Sequence, residues 1–150
     1  MDVKKRPQST GASEQNALGF YLQSGDVRLA SSLSQVPKVD LVNWKMFRVR
    51  WPDGRTTRHL IGRTVHSNRG RACSEIKTID LATGSFTTKS GRQYLIHGPT
   101  RDDLDAAFVF DLWVREWNVQ AREITRPFLR LLRNRNPSLL ESLFEGQFLQ

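Results

Sequence analysis

The sequence predicts an α+β domain: antiparallel strands that form a curled sheet or small open barrel, followed by C-terminal α-helices. Three observations predict it. Between Trp44 and His97, short runs of period two alternate with turn residues. From about residue 102 the apolar spacing changes to three and four, the helical interval. The 150-residue length suits one domain with a sizeable core.

Residues 1–16 are polar and small, so they are expected to form a disordered tail ahead of a single domain at 17–150. Leu18 to Leu22 is the first apolar cluster, a short strand or an anchor, and Val27 to Ala30 reads as another short strand between loops. The strongest strand is Trp44 to Trp51, where Phe47, Val49 and Trp51 alternate with Arg48 and Arg50. Pro52-Asp53-Gly54 makes a turn: proline presets φ, aspartate bonds back to the chain, and glycine accepts positive φ. Thr56 to Ile61 returns as a hairpin partner, and Gly62 ends it or marks a bulge. After the loop Ser67 to Arg71, strands are expected at 73–81, 85–89 and 92–97, joined by Ala82-Thr83-Gly84 and Ser90-Gly91.

Gly98-Pro99 stops the last strand. Thr100 can cap a helix over 102–117, with Asp102 and Asp103 in its first turn. Ala106, Phe110, Trp113, Val114 and Trp117 give that helix an aromatic face to lay on the sheet. Thr125 can cap a second helix that tolerates Pro127 in its first turn. Asn136-Pro137 opens a third, whose Leu139, Leu140, Leu143, Phe144 and Phe148 form an apolar stripe. That stripe suits core packing, or a homodimer contact through residues 139–148.

The chain carries a net charge of +8 and an isoelectric point near 10.4. Such a balance favours DNA or RNA, an acidic protein or an anionic surface as partner. The single cysteine, Cys73, excludes a disulfide framework and a thiolate zinc site within one chain, and it reads as a buried apolar residue. No apolar run reaches membrane-spanning length and no secretory signal opens the chain, so a cytoplasmic protein without membrane partners is expected. Lys4-Lys5-Arg6-Pro7 is too slight a basic run to specify a nuclear address.

The positive charge is concentrated. Residues 43–71 hold eight basic side chains against one acid, Asp53, a net +7 in 29 residues. On a strand, Arg48 and Arg50 share one face opposite Phe47 and Val49, and Arg58 on the return strand can join them. Clustered guanidiniums bind phosphate bidentately. The candidate nucleic-acid-binding residues are therefore Arg48, Arg50, Arg55, Arg58, Arg63, Arg69 and Arg71, with Trp51, together with Trp44, as a surface for bases. Arg126, Arg130 and Arg133 form a second basic stripe at helical spacing. A solvated face with two core tryptophans is the plainer alternative.

No motif fixes a reaction. His59, His66 and His97 match no metal spacing, though a basic ribonuclease could use such histidines as acid and base. Asp102, Asp103 and Asp105 are explained by a helix start without a metal, and no P-loop occurs. No cofactor, no metal and no catalytic residue is assigned, and a non-enzymatic binding protein is expected.

One stretch carries a resemblance. Arg69-Gly70-Arg71, Ile79-Asp80, Thr87 through Leu95 with Ser90-Gly91-Arg92-Gln93-Tyr94-Leu95, Gly98-Pro99, Asp105 through Val109 and Trp113 together resemble small uncharacterised accessory proteins of bacterial mobile elements and phages. The resemblance implies a bacterial, cytoplasmic accessory protein without established catalytic residues. With the arginine-rich sheet face the leading role is a nucleic-acid-binding protein; a protein-interaction module that inhibits or regulates a host complex, and behind it a small basic ribonuclease using the histidines, are the alternatives.

Overall fold

The computed structural model describes residues 37–145 and, as backbone, strands at 20–23 and 26–29. The expected tail at 1–16 lies outside the described residues. In chain order the strands are β1 (Phe20–Gln23), β2 (Asp26–Leu29), β3 (Lys38–Arg50), β4 (Thr56–Thr64), β5 (Gly70–Ala72), β6 (Ile76–Asp80), β7 (Ser85–Thr88), β8 (Gln93–Ile96) and β9 (Gln120–Glu123). The helices are α1 (Leu104–Trp117), α2 (Thr125–Arg135) and α3 (Pro137–Leu143). All nine strands join one open sheet in the order β2-β1-β5-β4-β3-β8-β7-β6, with β9 added beside β3.

The α+β class is as the sequence predicts, but the sheet is mixed. β3 and β8 run parallel, with Lys38 opposite Gln93 and Leu41 opposite Ile96, and every other pairing is antiparallel. The expected single strand at 73–81 is in fact broken. Its start is continuous with β5 beside β4, whereas β6 pairs with β7 at the far edge. The sheet curls, so β6 touches β4 although β3, β8 and β7 separate them in the hydrogen-bonded order.

β3 extends six residues further toward the N-terminus than the period-two pattern suggests. Its register shifts between Val42 and Lys45, where Asn43 takes φ 50°. The extra residue of a bulge reverses the alternation. Val39 and Leu41 before it, and Trp44 and Met46 after it, therefore face the same core. Gly62 sits inside β4 opposite this bend, where a Cβ would lie 2.9 Å from the Val42 carbonyl oxygen. Close approach, not strand termination, is why glycine stands there.

The sheet buries both faces. On one, Val39, Leu41, Trp44, Met46, Leu60, Phe86, Tyr94 and Ile96 pack with Phe128 and Leu132 of α2 and Leu143 of α3. On the other, Val49, Trp51, Ile61 and Ala72 pack with Ala106, Val109, Phe110 and Trp113 of α1. α1 is capped not by Thr100 but by Asp103, whose carboxylate accepts from the Ala106 amide at 3.1 Å. Thr100 instead donates to the Trp44 carbonyl. Thr125 likewise gives no cap. Its hydroxyl accepts from the Met46 amide at 3.0 Å and pins the start of α2 to β3. Asn136 does cap α3, accepting from the Leu139 amide at 3.2 Å.

The apolar stripe of 139–148 is core along its described part. Leu143 is buried, and Leu139, Leu140 and Phe144, each partly buried, pack against the same cluster; Phe148 lies outside the described residues. Among the described residues no helix is long and apolar enough to cross a membrane.

Candidate nucleic-acid interface

Arg48 stands directly opposite Arg58 of β4 and directly opposite Arg122 of β9. Opposite partners in a sheet point to the same face, so three guanidiniums form one row across three strands. Like charges placed directly opposite are unfavourable, so folding gains nothing from this row. Arg50 continues it one step along β3, on the same face.

The face is the one α2 covers further along, over Met46. The Thr125 anchor sets where α2 begins, and the Ile124 amide adds a 2.8 Å bond to the Met46 carbonyl. Arg126 and Arg130, one helical turn apart, then stand beside the sheet row. Together Arg48, Arg58, Arg122, Arg126 and Arg130 line an open groove of about 880 Å³. A second depression of about 410 Å³, which shares Arg48 and Arg122, adds Arg50.

All six arginines are exposed, and none forms an ion pair with a described residue. The one acid on the groove, Glu123, faces Lys45 at 3.7 Å.

The remaining candidates are elsewhere. Arg55 stacks over the Trp51 ring at 4.6 Å and lies near Asp53 and Glu75. Arg63 is tied bidentately to Asp103, Nε at 2.8 Å and Nη2 at 3.1 Å, and to Asp105 at 3.0 Å. The Asp103 hydrogen bond, against the opposing effect of burial, raises its pKa further above the usual guanidinium value. Arg69 belongs to the β4–β5 turn, where its amide donates to Thr64. Arg71 is buried; its Nε donates to the Tyr94 hydroxyl at 3.0 Å.

Trp51 is 8% exposed and Trp44 fully buried, so neither offers a ring to a base. The acid cluster resolves as structure: Asp102 pairs with Lys45, and Asp103 and Asp105 hold Arg63. Burial works to raise the Asp103 carboxyl, but Arg63, the Ala106 amide and the Asn43 amide outweigh it and hold it below the usual carboxylate range.

His59 stands apart from the other two histidines. His59 is buried, and desolvation lowers its pKa to about 4 despite the hydrogen bond to the Cys73 carbonyl. That carbonyl can only accept, at 3.0 Å, so His59 Nδ1 carries the proton. Nε2 then accepts from the Thr57 hydroxyl at 2.7 Å, which itself accepts from Trp51 Nε1–H at 2.8 Å. His66 and His97 meet instead on Asp40, at 3.4 and 2.8 Å. Asp40 lies eight residues from Arg48, roughly 25 Å along the strand.

Cys73 is buried as expected. Desolvation pushes its thiol up to about 12, far from a reactive thiolate.

Sequence reasoning finds Arg48, Arg50 and Arg58, and treats Arg126 and Arg130 as a separate stripe. It misses Arg122. β9 is exposed at all four positions, so no alternation betrays it as a strand. No family model matches the chain, and neither a curated protein nor a solved structure matches it.

Proposed function

We propose that this is a nucleic-acid-binding protein, acting without catalysis, that grips phosphate in the groove between the β9-β3-β4 face and α2. One observation carries the reading: six exposed arginines from four elements converge on one surface with no carboxylate partner among the described residues. Arginine forks match phosphate oxygens, and each phosphate neutralised releases counterions. The repulsion across the Arg58-Arg48-Arg122 row is relieved when an anion sits among them. Within this reading, the likeness of residues 69–117 to accessory proteins of mobile elements supplies a setting, work on such an element's nucleic acid.

Salt titration of binding to labelled nucleic acid tests it. The double variant Arg48→Gln/Arg126→Gln is compared with Arg101→Gln/Arg115→Gln, which removes equal charge outside the groove. The groove variant is expected to flatten the log–log salt slope by roughly 1.4–1.8, at 0.7–0.9 per contact, and the control to leave it unchanged. Equal loss in both variants would mean that bulk charge, not the groove, does the binding. Absence of nucleic-acid binding, with salt-sensitive capture of an acidic protein instead, would replace this reading by the interaction-module one.

A further inference from the structure

We infer that the polyanion gripped in this groove is a duplex held by its sugar–phosphate backbone, and not a single strand read by stacking. The inference rests on the phosphate-binding reading above and goes on to name the form of nucleic acid.

Among the described residues the groove has charge but no platform. Its lining is Arg48, Arg58, Arg122, Arg126 and Arg130 with Glu123, Ile124, Thr125 and Pro127, and no aromatic side chain among them. The adjoining depression adds Arg50, Gly54, Thr56, Gln120 and Ala121, again without a ring; a further one, sharing Arg50 and Gln120, does reach Trp51, but that ring is 8% exposed and carries Arg55 at 4.6 Å. The tryptophans that could have served are consumed by the cores: Trp44 faces Phe128 edge-on at 6.0 Å, and Trp51 faces Trp113 at 5.6 Å. Proteins that hold single strands pair a basic track with aromatic rings, and the stacking offsets the cost of ordering a flexible chain. Here that offset is missing.

The backbone also sets the arginines in a pattern. The sheet row crosses three strands, about 10 Å between its outer members. The helix row, Arg126 and Arg130, stands about 6 Å apart on a second wall. Both rows grow from hydrogen-bonded elements joined at Thr125 and Met46, so their spacing is set before any ligand arrives. An array whose backbone positions are preformed rewards a ligand whose phosphates are already fixed, because only the arginine side chains must then be ordered on binding. A duplex is such a ligand, and it presents charge more densely than a single strand. Since guanidiniums on phosphate carry no sequence information, affinity should vary little among duplexes of different sequence.

Fluorescence anisotropy on the full chain tests this with four labelled probes, each about 20 nucleotides or base pairs long, at about 50 mM salt. They are a DNA duplex, an RNA duplex, oligo-dT and oligo-U. At least one duplex is expected to bind about tenfold more tightly than both single strands, with the DNA and RNA duplexes showing which backbone geometry fits better. A second duplex of the preferred kind but unrelated sequence is expected to agree within about threefold. A single strand that binds as tightly as the better-bound duplex would overturn the duplex inference and leave the phosphate-binding reading standing. No binding of any of the four probes would overturn both.

Discussion

The two faces of the β3–β4 hairpin use arginine in opposite ways. On the face toward α1, Arg63 is held by two carboxylates and its bidentate partner Asp103 also caps the helix. On the face toward α2, Arg48 and Arg58 stand opposite one another and neither forms an ion pair with a described residue. The residue type is the same and the strand is the same. What differs is whether folding supplies the counter-charge. Where it does, the guanidinium belongs to the scaffold; where it does not, the charge is left for something outside the chain. This contrast separates arginines paired within the fold from unpaired ones better than their density along the sequence.

If the α1 face is the structural one, it should be the acid-sensitive one. His59 stays neutral in the fold with a pKa of about 4, whereas in the unfolded chain it takes a proton near 6.5. Between those values the unfolded chain binds a proton that the folded chain refuses, so stability falls as pH falls. The loss approaches roughly 3 kcal/mol by pH 4. Asp103 adds a second, lower window: its stabilisation is complete above the unfolded carboxylate value and disappears as pH falls through its depressed folded value. Urea unfolding at a series of pH values checks this. His59→Gln, which cannot titrate, is expected to flatten the profile between pH 6.5 and 4 by about one proton. An unchanged profile would show that His59 does not control the acid limit.

Removing Arg63 sharpens the contrast directly. Arg63→Ala leaves the Asp103 carboxylate, 4% exposed, without its bidentate partner. The expected cost is about 2–3 kcal/mol, because a buried charge left unpaired bears its full desolvation penalty. Denaturant midpoints at neutral pH measure it. A loss below about 0.5 kcal/mol would place Arg63 with ordinary surface ion pairs and erase the distinction between the faces.

Much of this fold is legible in the sequence, and the failures have local causes. The β3–β4 hairpin is read correctly because Pro52-Asp53-Gly54 and the period-two run around it agree. The first half of β3 is hidden because the bulge at Asn43 shifts its alternation out of phase. β9 is hidden because all four of its residues are exposed.

The parallel β3–β8 pairing depends on the path taken after Cys73, which carries the chain to the far edge of the sheet, and no local signal encodes that path. The candidate site divides along the same line. Arg48, Arg50 and Arg58 are grouped by strand period alone. Arg122, Arg126 and Arg130 join them only through tertiary placement, and Arg63 and Arg71 leave the set because their partners, Asp103 and Tyr94, are distant in sequence.

The mildest substitution tests the other half of the comparison. Arg48 lies between Arg58 and Arg122, so it is repelled from both sides in the free protein. Arg48→Gln keeps a long polar side chain and removes both repulsions. It is expected to leave stability unchanged or raise it by up to about 1 kcal/mol at low salt, and to weaken polyanion binding in the same preparation. Salt should erase the stability gain, because these are exposed charges screened within about 10 Å at 0.1 M. Opposite signs for stability and binding would mark Arg48 as a residue kept against the interest of the fold. A loss of stability comparable to that of Arg63→Ala would instead make Arg48 part of the scaffold, and the groove would lose the central member of its row.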